Sequence, residues 1–255
     1  MKFVLLSQKP HLYSTKRLFE AARFKGHSVL VMDTLSCQLI VSESGPRIFY
    51  KGEDVIGFDA VIPRIGASTT FYGIAVLRQF ELMGVYCLND SESVARSRDK
   101  LRCLQILSRN GIAIPATCFS YTPSFSDSIS ETLNGPPVVV KLTEGTQGLG
   151  VMLAESYKSA ESIIEAFGSL QAPVLAQEYI AESEGVDVRC FIVGSRVVAA
   201  MERRSADGDF RSNLHRGGAG RAVKLSPSEE AIAIKAAGGM GLRVAGVDLL
   251  RSSRG

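Results

Sequence analysis

Disulfide chemistry is the first thing this sequence does without. Its five cysteines, Cys37, Cys87, Cys103, Cys118 and Cys190, form no CxxC pair, and an odd number fits poorly with a disulfide framework. That usage points to a reducing, cytosolic compartment. Histidine is scarcer still: His11, His27 and His215 are too scattered to suggest a zinc site. Long apolar runs are missing. Phe3–Leu6 gives way at once to Ser7, Gln8, Lys9 and Pro10, too short for a signal peptide, and nothing approaches transmembrane length. Charge of one sign is also lacking. The net charge is +3, and the basic residues are dispersed apart from short groups such as Arg96–Arg102 and Arg203–Arg204. Neither nucleic acid nor a membrane is therefore expected as a partner. There is no GxGxxG, which weakens a dinucleotide-binding reading, and no obvious Ser-His-Asp or Cys-His set for nucleophilic catalysis.

The chain does have 45% apolar and 22% charged residues over a length of 255, the profile of a soluble globular protein large enough for two domains. Up to about residue 92, β-α-β alternation suggests a small, open, mainly parallel sheet. Strands are expected at Lys2–Leu6, His27–Met32, Asp59–Ile65 and Val85–Leu88, with a hairpin over Leu39–Lys51 turning at Ser44–Pro46. A helix capped by Ser14 or Thr15 should run to Lys25, and another from Phe71 to Met83. The hydrophobic stripe through Leu101, Leu104, Ile106 and Leu107 predicts one basic helix over Ser91–Asn110. Further on, a helix is expected at Ser159–Phe167 and a strand at Val174–Ile180. An acidic loop, Glu182–Asp187, should lead into a hairpin of Val188–Val193 and Arg196–Glu202. Pro227 opens a helix that breaks near Gly238–Gly241, and Val244–Leu250 is a final strand.

The stretch with most chemistry is Val138–Gly150, VVVKLTEGTQGLG. An apolar run ends in Lys141, a loop with Gly145, Gly148 and Gly150 follows, and Val151–Ala154 leads out. Strand, glycine loop and strand read as a hairpin whose tip can close over a polyphosphate, with glycine N–H groups approaching the oxygens. Lys141 supplies positive charge at its base, and Lys100, on a separate element, can meet it there. Glu178 and Tyr179 end a strand, where free backbone groups can pair with an adenine edge. Asp187 is a plausible acceptor for ribose hydroxyls, and Arg211, Ser212 and Asn213 offer a cation, a hydroxyl and an amide in one loop. Asp248 stands in the apolar run VAGVDLL, where a carboxylate reads as a Mg²⁺ ligand. In the first half, Arg64 opens the loop RIGASTT at a strand's C-terminal end, a place where substrate carboxylates gather. Its ordinary alternative is a surface arginine on a capped loop.

Taken in order, Lys100, Lys141–Gly150, Glu178-Tyr179, Asp187-Val188-Arg189, Arg203, Asn213 and Asp248 resemble an ATP-grasp carboxylate–amine ligase. The resemblance is most specific in IPRIGASTTFYG, RDKLRCLQIL, AMERR, GDFRSNLHRGG and AGVDLLR, and its type is that of the RimK-like glutamate ligases. It implies an α/β fold, α+β in the ATP-grasp part. The parts would be a pre-ATP-grasp domain over 1–92, a middle ATP-binding subdomain over 93–180 and a C-terminal subdomain over 181–255. The implied cofactors are ATP with Mg²⁺ or Mn²⁺, two ions in a full-length protein. The implied partners are L-glutamate and the C-terminal tail of a small-subunit ribosomal protein, and the implied assembly is a homo-oligomer. Lys100, Lys141, Gly145 and Gly148 would hold phosphates, Glu178 and Tyr179 adenine, Asp187 ribose, and Asp248 metal. Arg211, Ser212 and Asn213 would serve the phosphate and substrate side, and Arg64, Arg203 and Arg211 the glutamate and acceptor carboxylates. Family members continue past Asp248 into a strand with a glutamate and an asparagine that complete the metal site. Neither follows here, which predicts an incomplete metal site and impaired activity. A small-molecule or carrier-protein acceptor, or a module that only binds nucleotide, fits the same residues.

Overall fold

The computed structural model describes residues 1–120, 132–143, 150–169, 173–205, 210 and 218–254. Chain contacts divide it into two units: 1–98 with 240–244, and 99–239 with 245–255.

The first unit is built on four parallel strands, β1 (Lys2–Leu6), β2 (Ser28–Met32), β6 (Ala60–Pro63) and β7 (Tyr86–Cys87), in the order β2-β1-β6-β7. An antiparallel ribbon of β3 (Cys37–Ile40), β4 (Arg47–Tyr50) and β5 (Glu53–Asp54) is inserted after β2. The helices are α1 (Tyr13–Phe24), α2 (Thr70–Leu82) and α3 (Ser91–Arg98). Central β1 reads as unbroken apolar sequence because Val4, Leu5 and Leu6 are wholly buried, as a strand covered on both faces requires. Val4, Leu6, Met32, Ile48, Val61, Val76, Leu77 and Phe80 form one core. Gly73 is there for closeness: a Cβ on it would lie 2.5 Å from Ile65 Cγ2, so α2 can seat on the β6 loop only without a side chain.

In the second unit, β8 (Thr117–Ser120), β9 (Val138–Leu142), β10 (Val151–Ala154) and β11 (Val174–Glu178) form an antiparallel sheet, order β10-β9-β11-β8. Val138, Val140 and Ala176 pack against α5 (Tyr157–Ser169) through Ala160 and Ile164. A second sheet has the order β14-β13-β12-β15, from β12 (Val186–Val193), β13 (Arg196–Arg204), β14 (Ala219–Ala222) and β15 (Val244–Leu249). Period-two alternation sends Val188, Cys190 and Ile192 inward. Helix α6 (Pro227–Gly239), with Ala233 and Ala237 buried, packs on β12. Its start is a reciprocal cap, in which Glu229 N–H donates to Ser226 Oγ and Ser226 N–H to the Glu229 carboxylate.

Three expectations change. The single helix over Ser91–Asn110 is two, α3 and α4 (Lys100–Arg109). Asp99 is extended rather than helical, and its carboxylate accepts the Arg102 N–H at 2.9 Å, so the second helix starts afresh there. Neither Ser14 nor Thr15 caps α1, whose N-cap is Leu12; the Thr15 hydroxyl bonds Ser7 and the Ser14 hydroxyl takes Arg64 instead. Asp187 lies not in the acidic loop but inside β12, because the turn closes at Gly185 and pairing begins at Val186.

Candidate functional site

The hairpin β9–β10 is held by pairing of Lys141 with Val151 and of Val138 with Ala154, and Leu142 N–H donates to Gly150 O at 2.9 Å. Gly150 has φ +67°, and a Cβ there would lie 2.7 Å from Leu142 Cδ1, so glycine closes this end of the hairpin. Lys141 projects from β9 next to Gln177 of β11, donating to its Oε1 at 2.5 Å. Gln177 Nε2 donates to Thr117 Oγ1 at 2.8 Å, and Thr117 donates to Pro115 O at 2.9 Å. Lys100, the first residue of α4, donates to the carbonyls of Leu142 and Thr143 at 3.0 and 2.9 Å. The two ammonium groups therefore converge on the end of β9. Burial, and then repulsion by Lys100, lowers the Lys141 pKa from 10.5 to about 8. Two ammonium groups brought together at the end of one strand make a place for a polyanion, as the phosphate chain of a nucleotide demands.

At the end of β11, the Glu178 N–H donates to Ala116 O at 2.8 Å, while the carboxylate accepts from Ala116 N–H and, at 2.5 Å, from Arg254. Tyr179 follows, half-buried, its ring edge-on to Phe210 at 6.4 Å between centroids. The strand thus ends in an anchored backbone beside an aromatic pair.

The second sheet carries a chain of alternating charge on one face. Arg203 (5% exposed) clamps Asp187 (8% exposed) with Nε and Nη2, the Nε contact at 2.7 Å. Arg203 Nη2 also stands 3.1 Å from the Asp248 carboxylate, which takes Arg189 in a second two-pronged pair at 2.6 and 2.5 Å. Asp187, Arg203, Asp248 and Arg189 meet because Asp187 pairs with Arg203 across β12–β13, Arg189 is two residues further along the same face, and β15 lies beside β12. Burial depresses the Arg203 pKa, but its two carboxylate partners outweigh it and leave it raised. Asp187 also lines an open cleft of about 450 Å³ with Glu182, Arg204, Leu249 and Arg251.

Asp187 therefore borders a cleft as a ribose acceptor should, yet both of its oxygens are occupied by Arg203. Asp248 is likewise committed to two guanidinium groups, and among the described residues no three His, Cys, Asp or Glu cluster to hold a metal. These residues do not by themselves fit a metal centre. Arg64 belongs to the first unit, at the end of β6, and bonds Ser14 Oγ at 3.1 Å. Gly145, Gly148, Arg211, Ser212 and Asn213 lie outside the described residues. Gln177 and Arg189 take parts that sequence reasoning did not give them. Their signal was present: Arg189 lies two residues from Asp187 on the same face of β12, and Gln177 directly precedes Glu178 in β11. Among the described residues no helix is long and apolar enough to cross a membrane.

Comparison with known proteins gives the family and the fold. Residues 97–255 match the RimK-like ATP-grasp domain and residues 1–94 the RimK PreATP-grasp domain. A probable alpha-L-glutamate ligase of Cellvibrio japonicus (strain Ueda107) is 58% identical over 255 residues, covering 100% of this chain and 85% of the relative. A protein of the same name from Hydrogenovibrio crunogenus is 56% identical with the same coverage. Among solved structures, a RimK domain ATP-grasp protein from Sphaerobacter thermophilus DSM 20745 superposes with a TM-score of 0.76 at 21% identity, over 100% of this chain and 88% of that one. The ATP-grasp ligase PsnB, complexed with a phosphomimetic variant of its minimal precursor, Mg and ADP, does so with a TM-score of 0.73 at 21% identity, over 100% and 86%. At that identity the shared property is the fold. The two domain matches together span nearly the whole chain, and it belongs to the RimK-like ATP-grasp ligases, a pre-ATP-grasp domain followed by an ATP-grasp domain.

Proposed function

We propose that this protein is an alpha-L-glutamate ligase that adds L-glutamate to the C-terminal tail of a small-subunit ribosomal protein at the expense of ATP. The observation that supports a nucleotide-driven ligase most directly is the convergence of Lys100 and Lys141 at the end of β9. The glutamate follows from the name shared by relatives 56–58% identical along the whole chain. Bound ATP would supply the γ-phosphoryl group, converting a carboxylate into an acyl phosphate with release of ADP; an amine then attacks the acyl carbon and displaces phosphate to form the amide.

The chain's own groups serve that sequence of events. Lys100 and Lys141 offset the charge that otherwise keeps a carboxylate away from a triphosphate. Gly145 and Gly148 supply backbone N–H groups to the phosphates. The end of β11, with Glu178 and Tyr179, takes the adenine edge, and the cleft that Asp187 borders takes the ribose. Arg211, Ser212 and Asn213 complete the phosphate and substrate side. Arg203 orients a substrate carboxylate from the sheet face, where it already holds two. Arg64 takes a carboxylate in the first unit. Mg²⁺ accompanies ADP in PsnB and belongs to this proposal as the nucleotide's counter-ion; no step here is routed through Asp248. The division at 180 is supported by one sheet in the first part of the second unit and another in its remainder, while the first unit runs to Arg98, past the proposed boundary at 92.

The deciding experiment incubates the protein with ATP, Mg²⁺, L-glutamate and the candidate ribosomal protein, and follows the acceptor's intact mass. Stepwise gain of glutamyl residues, absent without ATP, is expected. ADP release with glutamate and a small or peptide acceptor, but no change in the ribosomal protein, would redirect the assignment to another acceptor.

A further inference from the structure

The first unit carries a second, separate concentration of unspent positive charge. At the C-terminal edge of its parallel sheet, Arg64 directly follows β6, its N–H donating to Leu6 O at 2.8 Å, and its guanidinium donates to Ser14 Oγ in the first turn of α1 at 3.1 Å. Arg98, the last residue of α3, reaches the same segment and donates to Ile65 O at 2.6 Å. Among the described residues neither arginine has a carboxylate partner, whereas three of the unit's other six arginines do: Arg17 with Glu20, Arg47 with Asp54 and Arg96 with Glu92. The nearby carboxylate at the end of β2, Asp33, is spent on capping the turn Thr34–Ser36. The two guanidinium groups feel each other: burial first, and then Arg64, lowers the Arg98 pKa.

The platform beneath them is rigid. Ile65 is buried and clamped by the close approach of Gly73 of α2, and the loop from β1 to α1 is pinned by the Ser7–Thr15 hydroxyl contact at 3.0 Å. Two like charges on a fixed platform, each satisfied only by neutral acceptors, are an arrangement that an oxyanion stabilises. It also stands where ligands of open parallel sheets bind, beyond the carboxyl ends of the strands.

We infer that Arg64 and Arg98, with Ser14, form a carboxylate-binding site in the first unit. The choice of carboxylate over phosphate rests on the proposed ligase function, because the phosphates of that reaction have the lysine pair of the second unit and every other substrate carries a carboxylate. Two sources share this chemistry, free L-glutamate and the acidic C-terminus of a peptide chain. A planar two-oxygen edge matches a guanidinium fork, and two forks hold it more specifically than two ammonium groups do.

The test measures binding of three probes without turnover: L-glutamate, tetraglutamate with a free C-terminus, and tetraglutamate amide. Calorimetry is run on the unaltered protein and on Arg64→Gln, Arg98→Gln and Arg47→Gln, with ATP binding measured in parallel. Arg47→Gln removes the same charge from an exposed pair elsewhere in the unit. Loss of one charge-assisted contact is expected to weaken at least one carboxylate probe by about tenfold or more in both Arg64→Gln and Arg98→Gln. Arg47→Gln should bind like the unaltered protein, and ATP affinity should stay unchanged throughout. The probe that responds identifies the source, free amino acid or chain end. No saturable binding of any probe overturns the inference. So does binding within twofold in both site variants, or an equal loss in Arg47→Gln. Should Arg98→Gln fail to fold, Arg64→Gln decides, since its side chain is exposed and, among the described residues, bonds only Ser14. Mass steps on the acceptor judge the ligase function independently, so either idea can fail while the other stands.

Discussion

Raising the pH is the most direct probe of the lysine pair. Lys141 is lowered from 10.5 to about 8 by burial and then by Lys100. Its protonated fraction therefore falls from about nine-tenths at pH 7 to about one-tenth at pH 9. An ammonium–phosphate contact is worth roughly 1.5–3 kcal/mol, so the neutral amine forfeits most of it. Titration caps the observable loss, and ATP affinity should drop about six- to ninefold from pH 7 to pH 9, about 1.0–1.3 kcal/mol. Calorimetry at pH 7, 8 and 9 reads this directly. In buffers of different ionisation enthalpy at about pH 8.5 it should also show proton uptake, because the triphosphate pulls Lys141 back to the charged form. Lys141→Gln should bind ATP more weakly at pH 7 and lose this pH dependence. Lys100→Gln should move the midpoint upward, since the second cause of the shift is gone. The sign for folding is opposite. Without nucleotide the unfolded chain holds the extra proton between 8 and 10.5, so stability rises with pH across that window. An unchanged pH profile of ATP affinity in Lys141→Gln would refute the reasoning.

Arg203→Ala leaves Asp187 buried and unpaired, and should lower stability in urea unfolding by about 3–5 kcal/mol; Arg203→Met with Asp187→Leu should recover much of it. Gly73→Ala forces a Cβ to within 2.5 Å of Ile65 and should cost about 1–3 kcal/mol, read as a lowered thermal midpoint. Asp99→Ala removes the cap of α4 and should cost about 0.5–2 kcal/mol by denaturant unfolding, whereas Asp99→Ser should be nearly neutral.

The sequence made the β9–β10 hairpin legible because an apolar run, a lysine and three glycines occur within thirteen residues, all local information. Strand periodicity also located β12 and β13 to within two residues, since a one-residue slip would bury Arg189 and expose Cys190. What it could not deliver was commitment of side chains. Asp187 and Asp248 look like ligand acceptors when read singly. Only the β12–β13 register and the placement of β15 beside β12 show that arginines already take their oxygens. The break between α3 and α4 was missed because no glycine or proline interrupts the basic stretch around Asp99, and the new start is marked only by the extended backbone and capping carboxylate of that one residue. Arg98 was hidden in a basic stretch, where nothing local separates an arginine aimed at a carbonyl 33 residues earlier from a solvated one.

The relay from Lys141 through Gln177 and Thr117 to Pro115 has a direction. Thr117 gives its only proton to a carbonyl, so toward Gln177 it can offer nothing but a lone pair. The Gln177 amide must then turn its N–H₂ to Thr117 and its oxygen to Lys141. Three strands thus agree on which way one amide points. The lysine is steadied by a dipole and not cancelled by a charge, and its full electrostatic reach is kept in reserve for whatever anion arrives. A glutamate would fill the same space and answer the same ammonium more strongly, and for that reason would silence it.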